Sequence, residues 1–146
     1  MTNYPDLIPQ KLMVHDDSTN APILHQHTIA RLTAKLYPYY EVGTITYEPL
    51  PETMVGEYNS PTPDVILYNY ATEQAPVIIE VAHTKGLKAD LRKVIDLIDG
   101  DLYGILEGFI FNYKTRQWLR YRKGDGGTAT ESSYSEVLKV DLGPLV

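Results

Sequence analysis

Two acids stand where short apolar segments leave little room for charge. Asp64 follows Pro63, and Glu80 interrupts Val77-Ile78-Ile79-Glu80-Val81-Ala82. Both segments, Pro63 to Asn69 and Val77 to Ala82, read as strands because they are short and rich in β-formers, with the loop 70–76 between them. A carboxylate inside such a strand costs free energy unless a partner or a metal compensates it. If the strands form an antiparallel hairpin turning near Glu73, Ile66 stands opposite Glu80 and Asp64 is a diagonal neighbour on the same face. Diagonal Cβ atoms lie roughly 7–8 Å apart. The same register gathers Val65, Leu67, Val77, Ile79 and Val81 on the opposite face, and a one-residue slip would expose that whole set. The chain is thereby held to a hairpin with one apolar face and two acids sharing the other.

Two carboxylates so placed could share a divalent cation, and Mg²⁺ or Mn²⁺ takes oxygen ligands of this kind. The residues alone leave a plainer alternative open. Asp64 then only starts a strand after a proline, and Glu80 pairs with a nearby lysine.

The remaining elements follow from periodicity and punctuation. Residues 1–21 are polar and carry Pro5, Pro9 and Asp16-Asp17, which predicts an arm or loop. A helix is expected after Pro22, with Ile23, Leu24, Ile29, Leu32 and Leu36 on one side and Pro38 ending it. Gly43 to Tyr47 alternates as a strand, Pro49-Leu50-Pro51 interrupts it, and Met54 to Tyr58 suggests a second short strand. After Thr84-Lys85-Gly86 a helix is expected, with Leu87, Leu91, Val94, Ile95 and Ile98 as its apolar stripe and Gly100 closing it. Gly108 to Tyr113 and Gln117 to Arg122 predict a hairpin turning near Lys114-Thr115-Arg116. Gly124 to Thr128 is a connector, and Tyr134 to Val140 a final edge strand. The whole is a single α/β (α+β) domain with a mixed sheet.

Composition narrows the classes. With 146 residues, no cysteine and no apolar run near the roughly 18 residues of a membrane span, the chain reads as a cytoplasmic protein without disulfides or thiolate metal sites. Nor do residues 1–6 carry the basic and hydrophobic regions of a signal peptide. The net charge of −6 hides an asymmetry, since residues 85–123 hold nine of the 13 basic residues and five acids. One electropositive face is expected there, with Lys85, Arg92, Arg120 and Arg122 as nucleic-acid contacts. Lys114, Arg116, Arg120, Arg122 and Lys123 also surround Trp118 and Tyr121. That interleaving suits single-strand binding, and equally an exposed hairpin with alternating faces.

With these residues in view, the chain resembles the PD-(D/E)XK nucleases, the restriction-endonuclease-like superfamily, and within it the Uma-type family of bacterial restriction endonucleases. The likeness covers roughly residues 22–122. It rests on Pro22-x-x-His25-Gln26, Pro63-Asp64-Val65, Ile79-Glu80-Val81, Asp90-Leu91 and Gly104-Ile105-Leu106-Glu107. It implies a core order α-β-β-β-α-β and a Mg²⁺-dependent (or Mn²⁺-dependent) hydrolase cutting phosphodiester bonds of DNA. Asp64 and Glu80 would be the metal ligands, with His25 and Gln26 bordering the site. Analogy also implies a homodimer, since two strands must be cut.

The pattern departs from the superfamily at its lysine. The motif places one two residues after Glu80, where this chain has Ala82. In the Uma-type family the lysine comes from the next helix, four residues after an Asp-like position. Counting from Asp90 gives Val94, so Lys93, one residue short, is the favoured substitute and Lys88 the second. The missing lysine supports a rival expectation, a catalytically inactive nuclease fold kept for nucleic-acid or protein binding. His25 and His27 point about 200° apart on a helix and cannot chelate one ion together. His83 is expected to be a core or turn histidine, and Tyr37, Tyr39 and Tyr40 to pack against the sheet or a partner subunit.

Overall fold

The computed structural model describes residues 17–146. In chain order the main elements are α1 (Asp17–Glu41), β1 (Glu48–Pro51), β2 (Val65–Asn69), β3 (Gln74–Ala82), α2 (Leu87–Gly100), β4 (Glu107–Asn112) and β5 (Trp118–Arg122). Three short strands follow, β6 (Thr130–Glu131), β7 (Tyr134–Ser135) and β8 (Val140–Asp141). β1 to β6 form one six-stranded sheet in sequence order, while β7 and β8 pair separately. β3 and β4 run parallel, joined across α2, and the other pairs are antiparallel. The expected α-β-β-β-α-β order and mixed sheet are present.

Each face of the sheet carries its own core. On one, Val65, Leu67, Val77, Ile79, Val81, Phe109, Phe111 and Trp118 meet Ile29, Leu32 and Leu36 of α1 and the C-terminal residues Leu138 to Leu145. On the other, Ile66, Ile78, Ala82, Ile110 and Tyr121 meet Val94, Ile95 and Ile98 of α2. α2 lies against the strands through a glycine: a Cβ on Gly108 would stand 2.3 Å from Val94 Cγ1.

The differences from expectation have local causes. α1 begins at Asp17, so residues 17–21 are helical rather than an arm, and residues 1–16 lie outside the described residues. Pro38 does not end α1, which runs on to Glu41; Val42 N–H then reaches Pro38 O at 3.0 Å. No strand forms at Gly43 to Tyr47 or at Met54 to Tyr58. The proline-flanked segment expected to interrupt the sheet is itself β1. An edge strand tolerates proline where the missing amide faces outward. Glu52 N–H bonds Asp64 O at 2.8 Å, so even-numbered residues aim their amides at β2 and Pro49 and Pro51 aim theirs away. α2 closes not on Gly100 but on Asp101, left-handed at φ 55°, whose N–H returns to Ile98 O. Tyr134 to Val140 is a small separate hairpin rather than a sheet edge, and β6 takes the edge beside β5. Among the described residues no helix is long and apolar enough to cross a membrane.

Candidate active site on the α2 face

The β2–β3 pair sets the acids. Val65 stands opposite Ile79, Ile66 opposite Ile78 and Leu67 opposite Val77. This is two residues away from the expected register, which put Ile66 opposite Glu80. An irregularity between Leu67 and Asn69 and the left-handed Glu73 (φ 58°) reset the turn. A shift of two keeps every side chain on its face, so the acids still share one. It also moves Asp64 from a diagonal position to one level with Glu80.

Asp64 is held on four sides. Its carbonyl accepts from Glu52 N–H at 2.8 Å, and its own N–H donates to Glu80 Oε1 at 3.2 Å. Its Oδ2 accepts from Val81 N–H at 2.7 Å and meets His25 Nε2 at 3.1 Å. Strand β2 starts only at Val65, so the Asp64 carboxylate takes over the amide of Val81 where the ladder stops. The other ring nitrogen of His25 meets the Gln26 side chain at 3.1 Å.

Glu80 lies between the buried Ile79 and Val81, on the same face as Ile78 and Ala82. Burial, reinforced by the adjacent Asp64 charge, pushes its carboxyl up from 4.5 to about 8. Asp90, at the start of α2, is also raised, chiefly by burial, while Lys93 pulls it down. Asp90 was quoted in the sequence likeness but not placed in the site. It lies on α2 one turn before Lys93, and that spacing was the available signal.

Two cavities flank the acids. One, of about 480 Å³, is lined by Glu80 and Lys93 together with Pro61, Pro63, Leu102 and Tyr103. The other, of about 370 Å³, is lined by His25, Val81, His83, Asp90 and Tyr113 among others. Lys93 therefore shares a cavity wall with Glu80. Lys88 and Lys85 line neither cavity. His83 is the turn histidine expected, its Nδ1 accepting from Lys85 N–H at 3.1 Å.

The basic segment 85–123 does not form one face. Arg120 pairs with Phe109 across β4–β5, and Phe109 belongs to the α1-side core, so Arg120 and Arg122 point away from the acids. Arg120 bonds Ser132 Oγ and Tyr134 O, each at 3.2 Å. Arg92, on α2, lies 3.7 Å from Asp96. Trp118 and Tyr121 are buried in opposite cores and offer no stacking surface. Tyr39 and Tyr40 pack on the sheet as expected, and Tyr37 donates its hydroxyl to Glu48.

The donor set suits a hard cation. A carboxyl pushed up by burial, and further by an adjacent acid, is relieved when a positive charge binds beside them. Mg²⁺ is commonly held by one or two carboxylates, with waters and substrate phosphate completing its shell. Among the described residues no three acidic or histidine side chains form a complete protein cage.

A solved structure shares this mixed, helix-flanked sheet. A crystal structure of a proposed nuclease belonging to DUF820 from Anabaena variabilis superposes with a TM-score of 0.62 at 10% identity, over 84% of this chain and 79% of that one. The type IIG restriction endonuclease BpuSI aligns at a TM-score of 0.47 and 19% identity, over 75% of this chain but 12% of its own length. The first superposition speaks to fold alone, and the second is too loose to carry weight. No family model and no curated protein matches the chain.

Proposed function

We propose that this protein is a divalent-metal-dependent nuclease that hydrolyses phosphodiester bonds of DNA, in the manner of the Uma-type enzymes its sequence resembles. The observation that carries the reading is geometric: Glu80, between the buried Ile79 and Val81, lies level with Asp64, whose N–H stands 3.2 Å from Glu80 Oε1. An acid pair this costly is retained where a cation is to be bound. Asp64 and Glu80 bind Mg²⁺ or Mn²⁺, and His25, steadied by Gln26, fixes the Asp64 carboxylate in place. Bound there, a divalent ion would supply positive charge and lower the pKa of a coordinated water. Lys93, on the wall it shares with Glu80, offers its ammonium to the charge developing on the phosphate. It thereby replaces the lysine absent at position 82.

Calorimetric titration of Mn²⁺ and Mg²⁺ tests the reading. Saturable binding is expected in wild type and lost in Asp64→Asn and Glu80→Gln. Lys93→Ala should keep the metal and lose roughly 10²–10³-fold in cleavage rate. Failure of the folded wild type to bind either ion sinks the proposal.

A second reading has one specific observation behind it. Ala82 is 2% exposed and packed in the α2-side core, so a lysine there would need that core reshaped. An inactive nuclease fold used for binding would show no cleavage, with or without Lys93, and would survive a failure of wild type to bind metal.

A further inference from the structure

The cavity beside Glu80 has a character that the acid pair does not explain. Its walls are Pro61, Pro63, Leu97, Leu102 and Tyr103, and its charged groups are Glu80, Lys93 and Asp96. With a single lysine among mostly apolar side chains, the cavity offers no row of cations for a phosphate backbone to follow. What enters from a phosphate held at the acids must be neutral and largely apolar. The ring of Tyr103 is set against the chain at Gly56, where a Cβ would meet Tyr103 Cδ1 and Cε1 at 3.1 Å. Beyond Leu102 and Tyr103 lies a further cavity of about 460 Å³, walled by Glu57, Asn59, Ser60 and Gln74, among others. These side chains carry donors and acceptors suited to the polar edge of a ring.

We propose that this cavity receives a nucleobase lifted out of its stack next to the scissile phosphate, so that the preferred substrate is single-stranded or locally unpaired DNA. The inference rests on the nuclease reading and adds the substrate class. A base within an intact duplex is stacked on both sides and cannot enter without being extruded, whereas one in a single strand is already free to do so. An aromatic wall accepts any base, because every base has a π-face.

The test is fluorescence anisotropy with a labelled single-stranded DNA oligonucleotide and the same sequence as a duplex, in Ca²⁺ to slow cleavage. Tighter binding of the single strand is expected. Tyr103→Ala should weaken it by roughly 5- to 150-fold, the worth of one stacked base, with little effect on the duplex, and Tyr103→Phe should retain it. Leu102→Asp, at a side chain 79% exposed and so tolerant of charge, should weaken single-strand binding in a chain that still folds. Mn²⁺ binding should be unchanged in all three variants. Equal or tighter binding of the duplex, or equal losses on both DNAs in Tyr103→Ala, overturns the inference while leaving the nuclease reading standing. Absence of Mn²⁺ binding in wild type overturns both.

Discussion

Glu80 and Asp64 are one structural problem with two consequences for measurement. The first concerns pH. Glu80 titrates near 4.5 when unfolded and near 8 when folded, so between those values the folded chain holds a proton the unfolded chain has released. Its contribution to stability is full below about pH 4.5 and is lost as pH rises through about 8. With chelator present, the melting temperature of wild type relative to Glu80→Gln should therefore fall from about pH 5 to 8, and saturating Mn²⁺ should remove that fall. Parallel melting curves for the two proteins would show that Glu80 is already ionised. The second consequence separates structure from chemistry at Asp64. Its Oδ2 satisfies Val81 N–H, so Asp64→Ala should cost about 1–3 kcal/mol in denaturant unfolding, whereas Asp64→Asn keeps an acceptor and should cost much less. Both residues were legible in the sequence because charge inside an apolar strand is conspicuous. Asp90 was not, since on an amphipathic helix an acid facing the site looks like an acid facing water.

At the scale of elements, the contact between α2 and the sheet depends on a side chain that is absent. Gly108→Ala would drive a methyl into Val94, and a loss of roughly 1–3 kcal/mol is expected in chemical denaturation. Val94→Ala on its own also destabilises, but the double variant should be less destabilised than the sum of the two, because the new methyl fills the space vacated. Additive losses would mean that α2 moves away rather than clashing. α2, β2, β3 and the β4–β5 hairpin were readable because their apolar periodicities are clean. The register of β2 on β3 was readable only in its parity. The pattern of faces fixes parity, while the irregularity at Leu67–Asn69 that fixes the offset leaves no mark in hydrophobicity. β1 was missed because proline was taken as a breaker, and that holds only for a strand paired on both sides.

Across the whole molecule, one buried acid adds a polar tie to the packing that holds the C-terminal segment on the sheet. Glu107, 1% exposed, accepts from Ser135 Oγ at 2.6 Å and from Glu136 N–H at 2.7 Å. Glu107→Leu should leave those donors unsatisfied and raise amide exchange across residues 130–146 well ahead of β2 and β3; unchanged exchange would refute the tie. The nine basic residues of 85–123 misled at this scale for a topological reason. α2 carries Lys88, Arg92 and Lys93 over one face of the sheet, while Arg120 and Arg122, two apart on β5, point to the other. Pro49 and Pro51 bear on assembly. With no amide hydrogens to offer along that border, the sheet cannot be prolonged by a neighbouring strand there. Two copies of the chain would have to meet through helices, loops or the opposite margin, and a stray β-segment in a crowded cell finds no template on this side.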